Sequence, residues 1–308
     1  MDHGTFCISC HTALPYALAR PVLRTNLGER GPSPVERQLF ASVTKRVRLW
    51  TEVQPYLNDK NGGPGTEAVL NALILVIHDA PHRTLSDDTR QALSTMWALQ
   101  LKSGRNAGAW PWVDAHNEPW EALDSPYWGA TLAAVAVGTL PLEYRSAPEI
   151  QDNLKLLKEY LQRGQHEQSL LNRLTLVWAA TKLPGLLSAD QKASIVDEVL
   201  TRQQPDGGWS ASDLVVSTWR RHDGTPLETK SDGYGTGLAA FVIQQAGIPH
   251  TRSAMKAARL WLIRNQDQAA GFWPAYSLNR QRDPVSDVGR FMSDAATAYS
   301  VLALTDGN

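Results

Sequence analysis

A chain of 308 residues, 43% hydrophobic and 20% charged, has material for a sizeable core, and its net charge of −1 provides no basic field for nucleic acid or an anionic membrane. No run of about 18 apolar residues is present, so no transmembrane segment is expected, and the only cysteines, Cys7 and Cys10, stand too close together to staple a fold. Met1-Asp2-His3-Gly4 lacks the basic and apolar regions of a signal peptide; the chain as given reads as cytoplasmic, and an export signal upstream of Met1 would make it periplasmic.

Period-2 alternation is rare, whereas 3.6-residue periodicity recurs between breakers, which predicts an all-α protein. In chain order, small segments that are apolar almost all round begin near Ser9, Thr66, Ser125, Ser169, Ser231 and Ser293. A helix apolar on every side must be surrounded by protein, so these are inner helices, over Ser9–Arg20, Thr66–His78, Ser125–Gly138, Ser169–Lys182, Ser231–Gly247 and Ser293–Leu304. Between them run amphipathic segments with one charged face: Val35–Gln54, Asp87–Leu101, Glu149–Arg163, Ala189–Gln203 and Arg252–Asn265. Ser86-Asp87-Asp88, Ser146-Ala147-Pro148-Glu149 and Ser188-Ala189-Asp190 are start signals for three of these outer helices. Gly138, Gly164 and Gly247 stand where helices are expected to stop.

Short connections between alternating outer and inner helices imply antiparallel neighbours, and hence an α/α toroid, read as one domain over residues 1–308. Only five outer segments precede or separate the six inner ones. The barrel is either incomplete or lacks a first outer helix upstream of Met1.

Three outer-to-inner connections carry Gln followed by Gly-x-Trp: Gln100 with Gly108-Ala109-Trp110, Gln203 with Gly207-Gly208-Trp209, and Gln266 with Gly271-Phe272-Trp273. Trp261-Leu262 precedes the last. These resemble the QW repeat of squalene–hopene and oxidosqualene cyclases, and the chain resembles the superfamily of those enzymes and the prenyltransferase β subunits over nearly its whole length. Glutamine at the end of an outer helix can bond backbone groups of its neighbour, glycine makes the sharp turn, and tryptophan covers the junction.

The resemblance implies an isoprenoid-processing enzyme: an apolar polyprenyl substrate in the barrel and acid or cation chemistry at the inner-helix N-termini, where converging helix dipoles act. A peripheral membrane contact stays open for such a substrate. The proton-donating Asp-x-Asp-Asp-Thr of the cyclases is matched best by Asp232-Gly233-Tyr234-Gly235-Thr236, in which Tyr234 replaces the donor, and next by Ser293-Asp294-Ala295-Ala296-Thr297. Asp232, Asp124 and Asp294 are the candidate acids if burial raises them; the plainer reading of each is a cap on its inner helix. Trp120, Tyr127, Trp128 and Tyr234 offer π faces to a cation, and Glu118 and Trp120 also suit a sugar in a non-catalytic lipid- or glycan-binding toroid.

Cys7-Ile8-Ser9-Cys10-His11 is the pattern of a haem c attachment site. The same residues suit zinc, which prenyltransferase β subunits hold through Asp, Cys and His at this end; Asp232 or Asp294 would then be a fourth ligand. Two reduced thiols packed at a helix terminus are the third reading.

Overall fold

The computed structural model describes residues 9–57, 62–216 and 218–305. Among these residues there are thirteen α-helices and no β-strand, only an isolated bridge between Asn117 and Glu121. None of the helices is long and apolar enough to cross a membrane. By contact the chain divides into two compact units. One comprises Met1–Ala17, Gly31–Gln168 and Lys182–Leu186; the other comprises Leu18–Arg30, Ser169–Thr181 and Leu187–Asn308.

Helix α1 (Ala13–Asn26) begins later than the expected Ser9, because Ser9 acts ahead of it: its hydroxyl accepts the Ala13 N–H at 3.0 Å. In the first unit follow α2 (Pro34–Arg48), α3 (Trp50–Val53), α4 (Gly63–Asp79), α5 (Asp87–Ala98), α6 (Ser125–Thr139), α7 (Leu142–Arg145) and α8 (Gln151–Gly164). Helix α2 is opened by a capping box, Ser33 with Glu36, and closed by Lys45, Arg46 and Arg48 against the negative end of its dipole. Ser86 caps α5 by accepting the Thr89 N–H. The single outer segment expected over Val35–Gln54 is two helices, broken at Leu49.

Helices α4 and α6 are buried along almost their whole length and pack on each other, with α2 and α5 against α4 and α8 against α6. Each fully buried Leu, Ile or Val on α4 contributes roughly 1.5–3 kcal/mol. Helix α4 starts at Gly63, before the expected Thr66, because Gly62 takes a left-handed conformation there and Pro64 fixes the first turn. The Thr66 side chain instead accepts the Val113 N–H at 2.9 Å. Arg46 on α2 and Glu67 on α4 form a buried ion pair at 3.0 Å. Gly138 does not end α6. It lies inside the helix, where a side chain would collide with the backbone of Lys182 and Leu183.

The second unit contains α9 (Leu170–Lys182, all but its last residue), α10 (Ala189–Thr201), α11 (Gly233–Gln245), α12 (Ser253–Asn265) and α13 (Arg290–Thr305). A Ser188–Gln191 capping box opens α10. Helix α11 is buried from Gly233 to Ile243 and packs on both α12 and α13. Its small residues permit that approach: a Cβ on Gly237 would fall 2.7 Å from the Ser300 backbone nitrogen of α13.

The Gln-Gly-Trp connections repeat one construction. The indole N–H of Trp110, Trp209 and Trp273 donates to the carbonyl of Met96, Val199 and Leu262, at 2.6, 2.8 and 2.7 Å, each carbonyl four residues before the motif Gln. Gln100 donates to Gly108 O in its own turn and to Asn153 O on α8, both at 3.0 Å. Gln203 donates to Gly207 O and to Ala254 O on α12, both at 2.8 Å. Gln266 donates to Gly271 O at 2.9 Å. The tryptophans are thus bonded into successive helix ends within their own units, as scaffold.

Candidate functional site

The sequence-predicted acids fall into two environments. In the second unit, Asp232 is 3% exposed and caps α11. One carboxylate oxygen accepts the N–H groups of Tyr234 and Gly235 at 2.8 and 2.9 Å, and the other accepts that of Ala211 at 2.7 Å. Burial pushes its carboxyl up to about 6, against the pull of those three donors. The construction recurs one repeat later. Trp209 N–H donates to Thr236 and Trp273 N–H to Thr297, while the Ala211 N–H meets Asp232 and the Ala275 N–H meets the Ser293 hydroxyl at 3.2 Å. Asp232 and Ser293 therefore do the same job, tying the connection after the motif Trp to the start of the next inner helix. A hydroxyl performs it at one copy, so the job needs an acceptor and not an acid. Asp294 is the residue after that brace, half-buried on α13. Tyr234 is buried edge-on to Tyr299, centroids 5.9 Å apart.

In the first unit, the loop between Trp110 and Ser125 gathers most of the remaining predicted residues. It folds tightly because the Ala115 and Asn117 N–H groups both donate to Glu121 O, and the Trp112 indole donates to Trp120 O at 2.7 Å. Ser125 locks its end, accepting from Ala122 N–H and donating to Pro119 O. Glu118, joined to Pro119 by a cis peptide bond, is buried, as are Trp120 and Trp128. Trp128 meets Trp112 edge-on at 5.8 Å, and His11 lies 5.9 Å from the Trp120 ring. Cys10 is 1% exposed and its thiol bonds the Glu121 carboxyl. Burial raises Glu121, opposed by the Asn117 and Cys10 hydrogen bonds. Cys7 lies outside the described residues.

The loop ends at Asp124, the residue before α6, whose side chain does not cap the helix. It borders a groove of about 580 Å³, which is lined by Arg105, Tyr127, Tyr160, Arg163 and Gln168, among others. Burial, reinforced by the negative charge of Glu118, raises the Asp124 carboxyl above its ordinary value. Tyr127 donates to Leu161 O at 2.6 Å, which fixes its ring against Tyr160 at 5.8 Å. Burial pushes the Tyr160 phenol up to about 12, although the Arg163 and Arg105 charges act to lower it. The groove thus combines one raised carboxyl, two aromatic faces and two guanidinium groups.

Asp124, Tyr127, Trp128, Trp120, Glu118, Cys10 and His11 are brought to one end of the first unit. Sequence reasoning missed Tyr160, Arg105 and Arg163 as groove residues. Tyr160 and Arg163 are one turn apart at the end of α8, a pairing visible only once α8 is known to pack on α6. The sequence matches no protein-family model and no curated protein.

Proposed function

We propose that this chain is a member of the QW-repeat toroid superfamily of terpenoid cyclases and prenyltransferase β subunits, with residues 1–308 forming one α/α barrel. We further propose that it processes an apolar isoprenoid by protonation at the N-terminal end of its inner helices, with Asp124 as the acid. The single observation that carries the chemistry is the setting of Asp124: a carboxyl raised by burial that borders a groove beside the Tyr127 and Tyr160 rings. A raised carboxyl holds its proton into the range where it can deliver it, and electron-rich ring faces stabilise the carbocation that protonation of an alkene leaves. Incubation with linear polyprenes, free and as diphosphates, followed by mass spectrometry of the products, tests the reading. Wild type should convert at least one of them, Asp124→Asn should lose that conversion while remaining folded, and Asp232→Asn should keep it. Conversion retained in Asp124→Asn and lost in Asp232→Asn refutes the assignment, and no conversion of any polyprene by wild type refutes the substrate class.

A second reading keeps Cys10 and His11 as cofactor ligands, favoured by the contact of the Cys10 thiol with the Glu121 carboxyl. A thiolate and a carboxylate are both zinc ligands. Haem fits less well, because a thioether-linked porphyrin needs open space beside the sulfur and Cys10 is buried. Metal analysis and a haemochrome assay on wild type and Cys10→Ser separate these cofactors from a packed thiol.

A further inference from the structure

The three Gln-Gly-Trp junctions differ in one respect. At the first, Gln100 reaches Asn153 O of α8, and a Cβ on Gly108 would collide with Leu156 O of the same helix. At the second, Gln203 reaches Ala254 O of α12, and a Cβ on Gly207 would fall 2.8 Å from Ala257 O. In both, the glycine faces the carbonyl three residues after the one that the glutamine binds. Each junction is therefore a seat for the first turns of another outer helix. At the third, among the described residues, Gln266 donates only to Gly271 O, and a Cβ on Gly271 would meet nothing within 4 Å. Gly207 and Gly271 both have positive φ, 94° and 77°, so the third seat has the same turn already made.

The side chain three residues before the glutamine tells the same story. Trp97 is buried, Leu200 is half-buried, and Ile263 is 54% exposed, with Leu260 beside it at 49%. Helix α12 carries Lys256, Arg259 and Arg264 and no carboxylate; Lys256 and Arg264 are exposed, while Arg259 is turned to the Ala303 and Leu304 carbonyls.

We propose that the end of α12 is a docking seat for an additional amphipathic α-helix with carboxylates on its docking face. It docks by its first turns, so that one carbonyl accepts from Gln266 Nε2 and the carbonyl three residues on rests over Gly271. The interface continues the construction of the two filled junctions, and the exposed Arg264 cation at the end of α12 sets the sign of the partner. Ile263 and Leu260 supply the apolar seat. This inference is independent of the Asp124 reading.

The probes are two synthetic peptides: residues 146–163, the segment that fills the seat on α5, and the same peptide with Lys155→Glu and Lys158→Glu. Binding is read by hydrogen exchange of residues 260–272 and by titration of a labelled peptide. The acidic peptide should protect that segment and bind at least about fivefold tighter than the unmodified one. Gln266→Ala, at a half-buried position, and Ile263→Lys, at an exposed one, should each weaken it about tenfold with unchanged circular dichroism. Absence of protection with either peptide, or affinity unaltered by both substitutions, overturns the proposal. Self-association through this segment that the same substitutions abolish would assign the seat to a second copy and likewise overturn it.

Discussion

Asp232 gives the sharpest physical test, because its carboxyl is moved from 3.8 to about 6 by burial while three N–H groups hold it in place. A shift of two units corresponds to about 3 kcal/mol. The sign follows from which form the fold prefers. Raising the carboxyl means that the folded protein binds the proton more tightly than the unfolded chain, so the contribution is complete below pH 3.8 and is lost as pH rises through 6. On this account wild type loses about 3 kcal/mol between roughly pH 4 and pH 7. Asp232→Asn does not titrate. Its amide oxygen can still cap Tyr234 and Gly235, but its NH₂ faces the Ala211 N–H, a mismatch that costs about 1–3 kcal/mol at every pH. Urea unfolding followed by tryptophan fluorescence, from pH 4 to pH 8, should show the variant less stable in acid and the difference moving by about 3 kcal/mol in its favour, to parity or beyond, towards neutrality. Ser293→Ala, which removes the equivalent acceptor without a charge, should cost about 1 kcal/mol independently of pH. A constant gap between wild type and Asp232→Asn would refute the buried-acid account.

Two further expectations concern the scaffold. Trp209 is fully buried and bonded to Val199 O, so Trp209→Ala should cost about 3–5 kcal/mol in the same unfolding assay, as expected for deleting a large packed ring. Glu67→Ala should cost about 3–5 kcal/mol because it strands the buried Arg46 cation, whereas Arg46→Met with Glu67→Leu should return most of that stability.

The helices were legible because their signals are local. Continuous apolar character marks α4, α6 and α11, and Ser33, Ser86 and Ser188 mark the starts of α2, α5 and α10. Boundaries moved where the decisive residue acts across space: Gly138 looks like a stop, yet its missing side chain serves the passage of Lys182 and Leu183. The motif glutamines were legible as well, and their bonds to Asn153 and Ala254 follow the expected logic. The groove was not. Arg105, Asp124 and Tyr160 belong to different segments, and no spacing rule connects them before α8 is packed on α6. The Cys10–Glu121 contact is hidden for the same reason.

The repeat itself separates structural from chemical carboxylates. A residue whose role is duplicated by a different side chain at the equivalent position is constrained by that role alone, and Ser293 shows that the role of Asp232 requires only an oxygen that accepts an N–H. Giving up a proton there leaves an anion already solvated by three fixed donors, but the proton is enclosed at 3% exposure, where an incoming alkene has no approach. Asp124 is placed differently. Its side chain is not held as a helix cap, it borders open volume, and Glu118 behind it raises the cost of the anion, which favours keeping the proton until a substrate removes it. Replacing Glu118 by Gln removes that neighbouring charge, so Glu118→Gln should lower the apparent acid pKa of any Asp124-dependent activity and move the descending, high-pH limb of its pH profile to lower pH. An unshifted profile would mean that Glu118 does not act on the acid, and the electrostatic half of the assignment would fall.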